Sequence, residues 1–103
     1  MEKNEVTTEL LGEFIDRMKL SGDEDENLTR ILRASIEDLI DKCGDYDVHK
    51  SERFKELVFE RSRYVYNDAL EYFDSNFVSQ LTTLAISKAL SSTSNVGGGS
   101  DEG

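Results

Sequence analysis

Seven of the nine aromatic residues of this chain lie between residues 54 and 77, so one short segment contains most of its aromatic side chains. The chain has no proline, and the apolar residues here recur at helical spacing, which predicts a helix over 51–74. At about 100° per residue they form two adjacent stripes. The first comprises Phe54, Leu57, Val58, Val65 and Tyr72, and the second comprises Phe59, Tyr66, Leu70, Phe73 and, if the helix continues, Phe77.

Two apolar stripes on one helix require two partners, because a surface helix of a small domain usually has one stripe about 100° wide. The second stripe either packs within the same chain or remains for another molecule, and the pattern leaves both alternatives open. Exposed apolar patches mark interfaces, and tyrosine combines a large contact area with a polar tip. Phe59, Tyr66, Leu70, Phe73 and Phe77 are therefore the candidate interface with a neighbouring subunit or partner.

The other apolar repeats predict further helices over 7–20, 24–43 and 76–90, with Gly44 ending the second. Ser21 and Glu24 have the spacing of a capping box at the start of that helix, and Asp23 with Glu26 offers an alternative start. We expect an all-α fold, a small bundle of three to four helices with a long central aromatic-rich helix. The bundle domain covers residues 1–90, with residues 1–5 frayed, and the Ser/Gly-rich segment 91–103 is expected to be a flexible, disordered tail.

The formal net charge of −10 excludes several classes of partner. Nucleic-acid affinity comes mainly from Lys and Arg that neutralise phosphates, and anionic membrane surfaces also attract basic segments. No apolar run approaches the roughly 20 residues that span a bilayer, and the N-terminus has no apolar signal core. We expect a protein of the cytosol that binds no membrane. Arg61 and Asp68, at the edge of the first stripe, either pair with charges of other helices or reach solvent, and solvent is the expectation.

No group of residues has the pattern of a catalytic, cofactor or metal site, and the chain is predicted not to be an enzyme. Cys43 and His49 are the only residues of their types, whereas a zinc site takes three or four ligands. Cys43 ends an apolar stripe and is expected to be a small buried hydrophobe. The acidic run 23–26 suits the positive end of a helix dipole and lacks the spacing of a cation loop.

The segment ERSRYVYNDALEYFDSNFVSQLTTLAI resembles part of the head–tail connector proteins of long-tailed double-stranded DNA phages, also called adaptor or head-completion proteins. The order of parts is similar too: a short first helix, the acidic turn GDEDENL, a second helix ending in CG, and the long aromatic helix. The resemblance covers roughly residues 8–90.

This resemblance implies a structural protein of the virion, located at the head–tail interface. During assembly it is present in the host cytoplasm. Members of the family form a ring, commonly of twelve copies, beneath the portal protein. The ring extends the channel through which DNA passes without specific binding, and it receives the next connector or tail-completion protein. Portal contacts in the family often come from terminal segments, which makes Val96, almost the only apolar residue of the tail, a candidate portal-docking residue.

An acidic protein-interaction module, such as a DNA-mimic inhibitor or a small regulator, is the alternative. Residues 23–47 contain nine acidic and three basic residues, a net charge of −6. A DNA mimic would present this acidic surface to a basic DNA-binding protein, and salt would weaken its binding steeply.

We predict that the isolated protein does not bind plain duplex DNA at physiological salt, because a chain of net charge −10 repels phosphates. An electrophoretic mobility-shift assay checks this prediction. A shifted band at micromolar protein would contradict it.

Overall fold

The computed structural model describes residues 3–21 and 23–100, with side chains described for 3–21 and 23–91. Within these ranges the chain is helical and forms no strand, which confirms the predicted all-α class. The helices are α1 (Thr8–Met18), α2 (Asp25–Cys43), α3 (Glu52–Tyr66), α4 (Phe73–Asn76) and α5 (Val78–Ser100), and a 3-10 turn (Leu70–Tyr72) precedes α4.

Over the described residues, none of the helices combines the length and the apolar character needed to cross a membrane.

Local capping interactions define where two of the helices begin. The Thr7 hydroxyl accepts a hydrogen bond from the Leu10 amide at 3.1 Å, and Ser51 caps α3 in the same way. The predicted capping box of α2 is wrong, because its N-cap residue is Glu24 and no side chain caps it. Acidic residues in the first turn of α2 complement the helix dipole instead.

The central helix of the bundle is α2, which packs against α1, α3 and α5. The predicted long central aromatic-rich helix is not confirmed in this form, since the aromatic helix α3 packs against the central helix α2. The reason is that α2 packs against three other helices, whereas α3 packs mainly against α2. The buried residues of α2 are Leu28, Leu32, Ser35, Ile36, Leu39 and Cys43.

The predicted single helix over 51–74 is also wrong, because α3 ends at Tyr66. Asp68 adopts a left-handed conformation (φ +57°), and the Ala69 amide donates to the Tyr64 carbonyl at 2.8 Å, which closes the helix end. The chain then reverses and buries Phe73 completely. In a continuous helix Phe73 would lie about 10 Å beyond Tyr66, away from the core.

From residue 3 onward the N-terminal segment, expected to be frayed, is attached to the loop between α2 and α3 by several side-chain contacts, among them those of Asn4. The Asn4 amide donates to the Tyr46 carbonyl at 2.9 Å and accepts from the Val48 amide at 2.7 Å. Both bonds satisfy backbone groups of the loop between α2 and α3. Asn4 therefore fastens the chain start to that loop, which spacing patterns do not reveal.

The last helix continues beyond the predicted end at residue 90, since α5 is helical to Ser100. It passes close over Gly44, the predicted end of α2, where an added Cβ would lie 2.5 Å from Lys88 Cγ. The positive φ of Gly44 (+114°) is a second reason for glycine at this position. Residues 101–103 lie outside the described range, and disorder of 91–103 in solution stays a prediction.

A polar network joins α2 to α3 inside the bundle and includes Arg61, which was expected to reach solvent. The guanidinium donates to Asp38 Oδ2 at 3.1 Å and to the Ser35 hydroxyl at 3.0 Å. Ser62, fully buried, also donates to Ser35 at 2.9 Å. The Arg61 side chain is only 13% exposed, because the short serines leave room for it between the helices. Asp68 is exposed, as predicted.

We predict that Arg61→Ala lowers the free energy of unfolding by about 1–3 kcal/mol, because it removes charge-assisted hydrogen bonds from a mostly buried site. Urea unfolding followed by circular dichroism measures this loss. Arg63→Ala is the matched control, since Arg63 is on the same helix, 45% exposed and paired with Glu60. Its cost should stay below about 1 kcal/mol. Equal losses in the two variants would contradict the role of the network.

Candidate interaction surface

The structure separates the five residues predicted to form the interface into buried and accessible groups. Phe59 and Phe73 lie in the core of their own chain, 3% and 0% exposed. The ring of Phe59 lies 5.5 Å from that of Phe14 on α1, and Phe73 lies 5.7 Å from Tyr64. For these two residues the intramolecular alternative describes the structure, because the break after Tyr66 turns Phe73 back onto the bundle.

Tyr66, Leu70 and Phe77 remain at least partly accessible. The Tyr66 hydroxyl donates to Glu24 Oε2 at 2.7 Å, and this hydrogen bond to a carboxylate raises the pKa of Tyr66. Leu70 is 40% exposed, in the reversal between α3 and α4. The side chain of Val96, the candidate portal-docking residue, lies outside the described residues.

Phe77 lines an open groove between α3 and the first half of α5, which we call the α3–α5 groove. Its volume is about 570 Å³. Its apolar floor includes Leu57 and Leu84, each 5% exposed. Charged residues of α3 form one rim, and neutral polar residues of α5 form the other. The lining residues are Arg53, Glu56, Leu57, Glu60, Phe77, Ser79, Gln80, Thr83 and Leu84.

The charged rim of the groove is held in place by ion pairs with α1. Arg17 donates to both carboxylate oxygens of Glu56, at 2.8 and 3.1 Å, and to Glu60 at 2.9 Å. Burial acts to raise the pKa of Glu60, but the hydrogen bonds from Arg63 and Arg17 outweigh it, and the pKa is lowered. Both rim carboxylates are therefore already paired with Arg17, which leaves the apolar floor as the main attraction for a partner.

A second apolar surface lies on the outside of α5, and none of its residues lines the groove. We call it the outer face of α5; it consists of Val78, Ile86 and Leu90, which are 58%, 53% and 61% exposed. Their spacings of eight and four residues place them along one side of the helix. The two aromatic stripes do not include this surface, but the distribution of charged residues along the sequence marks it. Between residues 78 and 100 the only charged residue is Lys88.

The inner side of α5 is fixed to the bundle by a few defined contacts. The Tyr46 hydroxyl donates to the Leu84 carbonyl at 2.7 Å, and the Lys88 ammonium lies 4.4 Å from the centroid of the Tyr46 ring. The single positive charge of the helix is thereby held on the inner side, over an aromatic face. The outer face is left without a formal charge.

The titratable side chains do not form a site for chemistry in the part of the chain that is described. Across residues 3–21 and 23–91, no three His, Cys, Asp or Glu side chains converge on a position that could hold a metal ion. Cys43 is buried as predicted, and burial raises the pKa of its thiol. Its sulfur faces the Leu81 carbonyl at 3.7 Å, so it contributes to the packing of α2 against α5.

No protein-family model, curated protein or solved structure matches this chain.

We predict that Glu60→Gln destabilises the protein at pH 7 but not near pH 3. The folded-state pKa of Glu60 is lowered, so its contribution is complete above the unfolded pKa of about 4.3 and is lost as the pH falls through the folded value. The expected cost at pH 7 is about 0.5–1 kcal/mol, as for a network of accessible ion pairs.

Denaturant unfolding at the two pH values measures this difference. Glu52→Gln is the control on the same helix, because the Glu52 side chain is 81% exposed and its lysine partner lies 3.6 Å away. A Glu60→Gln loss of the same size at both pH values would contradict the ion-pair account.

Proposed function

We propose that this chain is a structural subunit of a phage head–tail connector, assembling as a ring beneath a portal protein. The observation that carries the proposal is the outer face of α5, an apolar surface without carboxylates on a chain of net charge −10. Exposed apolar side chains at regular helical spacing are typical of interaction surfaces. The resemblance of residues 60–86 to connector proteins supplies the class of assembly.

Charge distribution supports a role in which copies meet through one surface only. Like-charged subunits repel one another, and this repulsion keeps an acidic protein soluble. Electrostatic repulsion between two copies is weakest where neither surface presents carboxylates. The span 78–100 meets this condition, whereas α1, α2, α3 and α4 each contain acidic residues.

The acidic remainder of the surface suits a channel through which DNA must move. A negatively charged wall repels phosphates, so DNA slides past it without adhering. The carboxylates at the start of α2, Asp23, Asp25 and Glu26, are exposed and available for this purpose. In the proposed ring, Tyr66, Leu70 and Phe77 are further candidates for contacts between subunits, and the tail with Val96 is the candidate portal contact.

The same exposed carboxylates favour the second candidate function, an acidic interaction module of the DNA-mimic kind. The two functions differ in their response to salt. Binding of a basic partner to the acidic start of α2 weakens steeply as salt increases. Association through the outer face of α5 strengthens or stays constant, because salt screens the repulsion between acidic copies.

We predict that the chain co-sediments in several copies with the portal protein encoded in the same genome, and that raising the salt concentration does not release it. Leu90→Glu should lower the number of bound copies, because it places a carboxylate on the outer face of α5. Ala34→Glu, which adds the same charge at an exposed position on α2, is the control.

Absence of the chain from the portal sediment would contradict the connector proposal. Salt-sensitive binding to a basic DNA-binding protein would favour the acidic module. Equal effects of the two glutamate variants would remove the outer face of α5 from the assembly.

A further inference from the structure

We propose that residues 3–6, which we call the N-terminal strap, hold α5 in place indirectly, through Tyr46 in the loop between α2 and α3. The strap and α5 are then coupled, so that release of either one loosens the other. This inference goes beyond the proposed function and does not depend on it, because it concerns contacts within a single chain.

The main attachment of the strap is the side chain of Asn4, which forms two hydrogen bonds with backbone atoms of the loop. Its amide nitrogen donates to the Tyr46 carbonyl at 2.9 Å, and its amide oxygen accepts from the Val48 amide at 2.7 Å. Both bonds are partly buried, and Val48 itself is buried. Loss of the Asn4 side chain would leave a backbone donor and a backbone acceptor without their partners, which is costly away from water.

Contacts on either side of Asn4 keep the strap in register with the loop. The Glu5 carbonyl can only accept, so the Nε2–H group of His49 donates to it, at 2.8 Å. The Lys3 ammonium lies 3.0 Å from Asp45, but both side chains are largely exposed and an ion pair of this kind contributes little. The hydrogen bonds of Asn4 therefore contribute most to the attachment.

Tyr46 joins the strap to α5, because its backbone contacts the strap and its side chain contacts the helix. The hydroxyl donates to the Leu84 carbonyl at 2.7 Å, and the Lys88 ammonium lies 4.4 Å from the centroid of the ring. The same ring stacks on the buried Phe54, at a centroid distance of 5.4 Å. A ring packed in this way has little freedom to compensate for a displacement of its own backbone, so such a displacement also moves the hydroxyl.

The contacts of Tyr46 lie where α5 leaves the bundle. Leu81 and Leu84 are buried, whereas Ile86 and Leu90, further along the helix, are exposed. Apolar packing therefore holds the first part of α5 and contributes less beyond Leu84. The contacts of Tyr46 with Leu84 and Lys88 are placed to hold the following turn of the helix against the loop.

Coupling of this kind is reciprocal. If the strap stabilises Tyr46 in the position that bonds α5, the bond to α5 stabilises the strap by the same free energy. A partner that displaced the strap would loosen the turn of α5 beyond Leu84, and a partner that fixed this turn would tighten the strap. The fold therefore contains a connection between the start of the described chain and its last helix.

Two single substitutions break the connection at different bonds. Asn4→Ala removes both hydrogen bonds of the Asn4 side chain to the loop and changes no side chain of α5. Tyr46→Phe removes only the hydroxyl and keeps the aromatic ring and the backbone carbonyl that accepts from Asn4. Lys3→Ala is the control within the strap, because it removes only an exposed ion pair. Native-state hydrogen exchange of individual amides, followed by NMR, measures local opening.

We expect Asn4→Ala to speed the exchange of the amides of residues 88–90 at least about threefold relative to wild type, as for the loss of a net hydrogen bond. Tyr46→Phe should have a similar effect on these amides and should also speed exchange of the Val48 amide, although Asn4 is unchanged. In the double variant the two effects on α5 should not multiply, because both substitutions break the same connection. The Leu32 amide, within α2, reports global unfolding and separates it from local opening.

Other outcomes overturn the inference. The strap does not hold α5 if the α5 amides of Asn4→Ala exchange like those of Lys3→Ala, or if those of the wild type exchange as fast as in an unfolded chain. A Tyr46→Phe variant that affects α5 but not Val48, or effects that multiply in the double variant, would show two independent contacts. Equal acceleration at Leu32 and in α5 would show that the strap contributes only to global stability.

Discussion

The reversal of the chain after Tyr66 is the constraint on which the rest of the structure depends. The turn is closed by the hydrogen bond from the Ala69 amide to the Tyr64 carbonyl and by burial of Phe73. Because the chain turns back at this point, α5 packs along α2 and the α3–α5 groove opens between α3 and α5. A straight helix through this region would have no groove and would leave Phe73 in solvent.

Buried polar groups fix the position of α3 against α2 more narrowly than apolar packing alone can. Apolar contacts tolerate sliding, whereas the bonds of Arg61 to Asp38 and Ser35 require one register. Lys42 extends the same network, since its ammonium lies 2.9 Å from Asp38 and 2.8 Å from Asp74 on α4. Burial acts to lower the pKa of Lys42, but the hydrogen bonds that its ammonium donates to Asp74 and Asp38 outweigh this effect, and the pKa is raised. The reversal is thereby tied to the centre of the bundle.

Helical periodicity was sufficient to predict the all-α class, the starts of α1 and α3 and the end of α2 at Gly44, because these features depend on local spacing and capping. Periodicity did not predict the features that depend on contacts between residues distant in the sequence. Nothing local distinguishes residues 67–69 from a helix interior strongly enough to predict a break, and the burial of Phe73 that favours it involves distant residues. The same limitation applies to Arg61, whose position at the edge of a stripe suggested solvent. Its partners Asp38 and Ser35 lie more than twenty residues away in the sequence.

The accessible apolar surface lies elsewhere than the aromatic stripes predicted, for a related reason. The concentration of aromatic residues marked the segment with the most apolar area, but the bundle consumes most of that area for its own core, including Phe59 and Phe73. The apolar area that stays accessible to a partner is the area not buried in the core, namely the outer face of α5 and the α3–α5 groove. In the proposed assembly, repulsion among acidic copies would favour association at the helix that has no carboxylates. In a chain this acidic, the distribution of charge therefore points to a different candidate surface from the distribution of aromatic residues, because the core takes up most of the aromatic side chains.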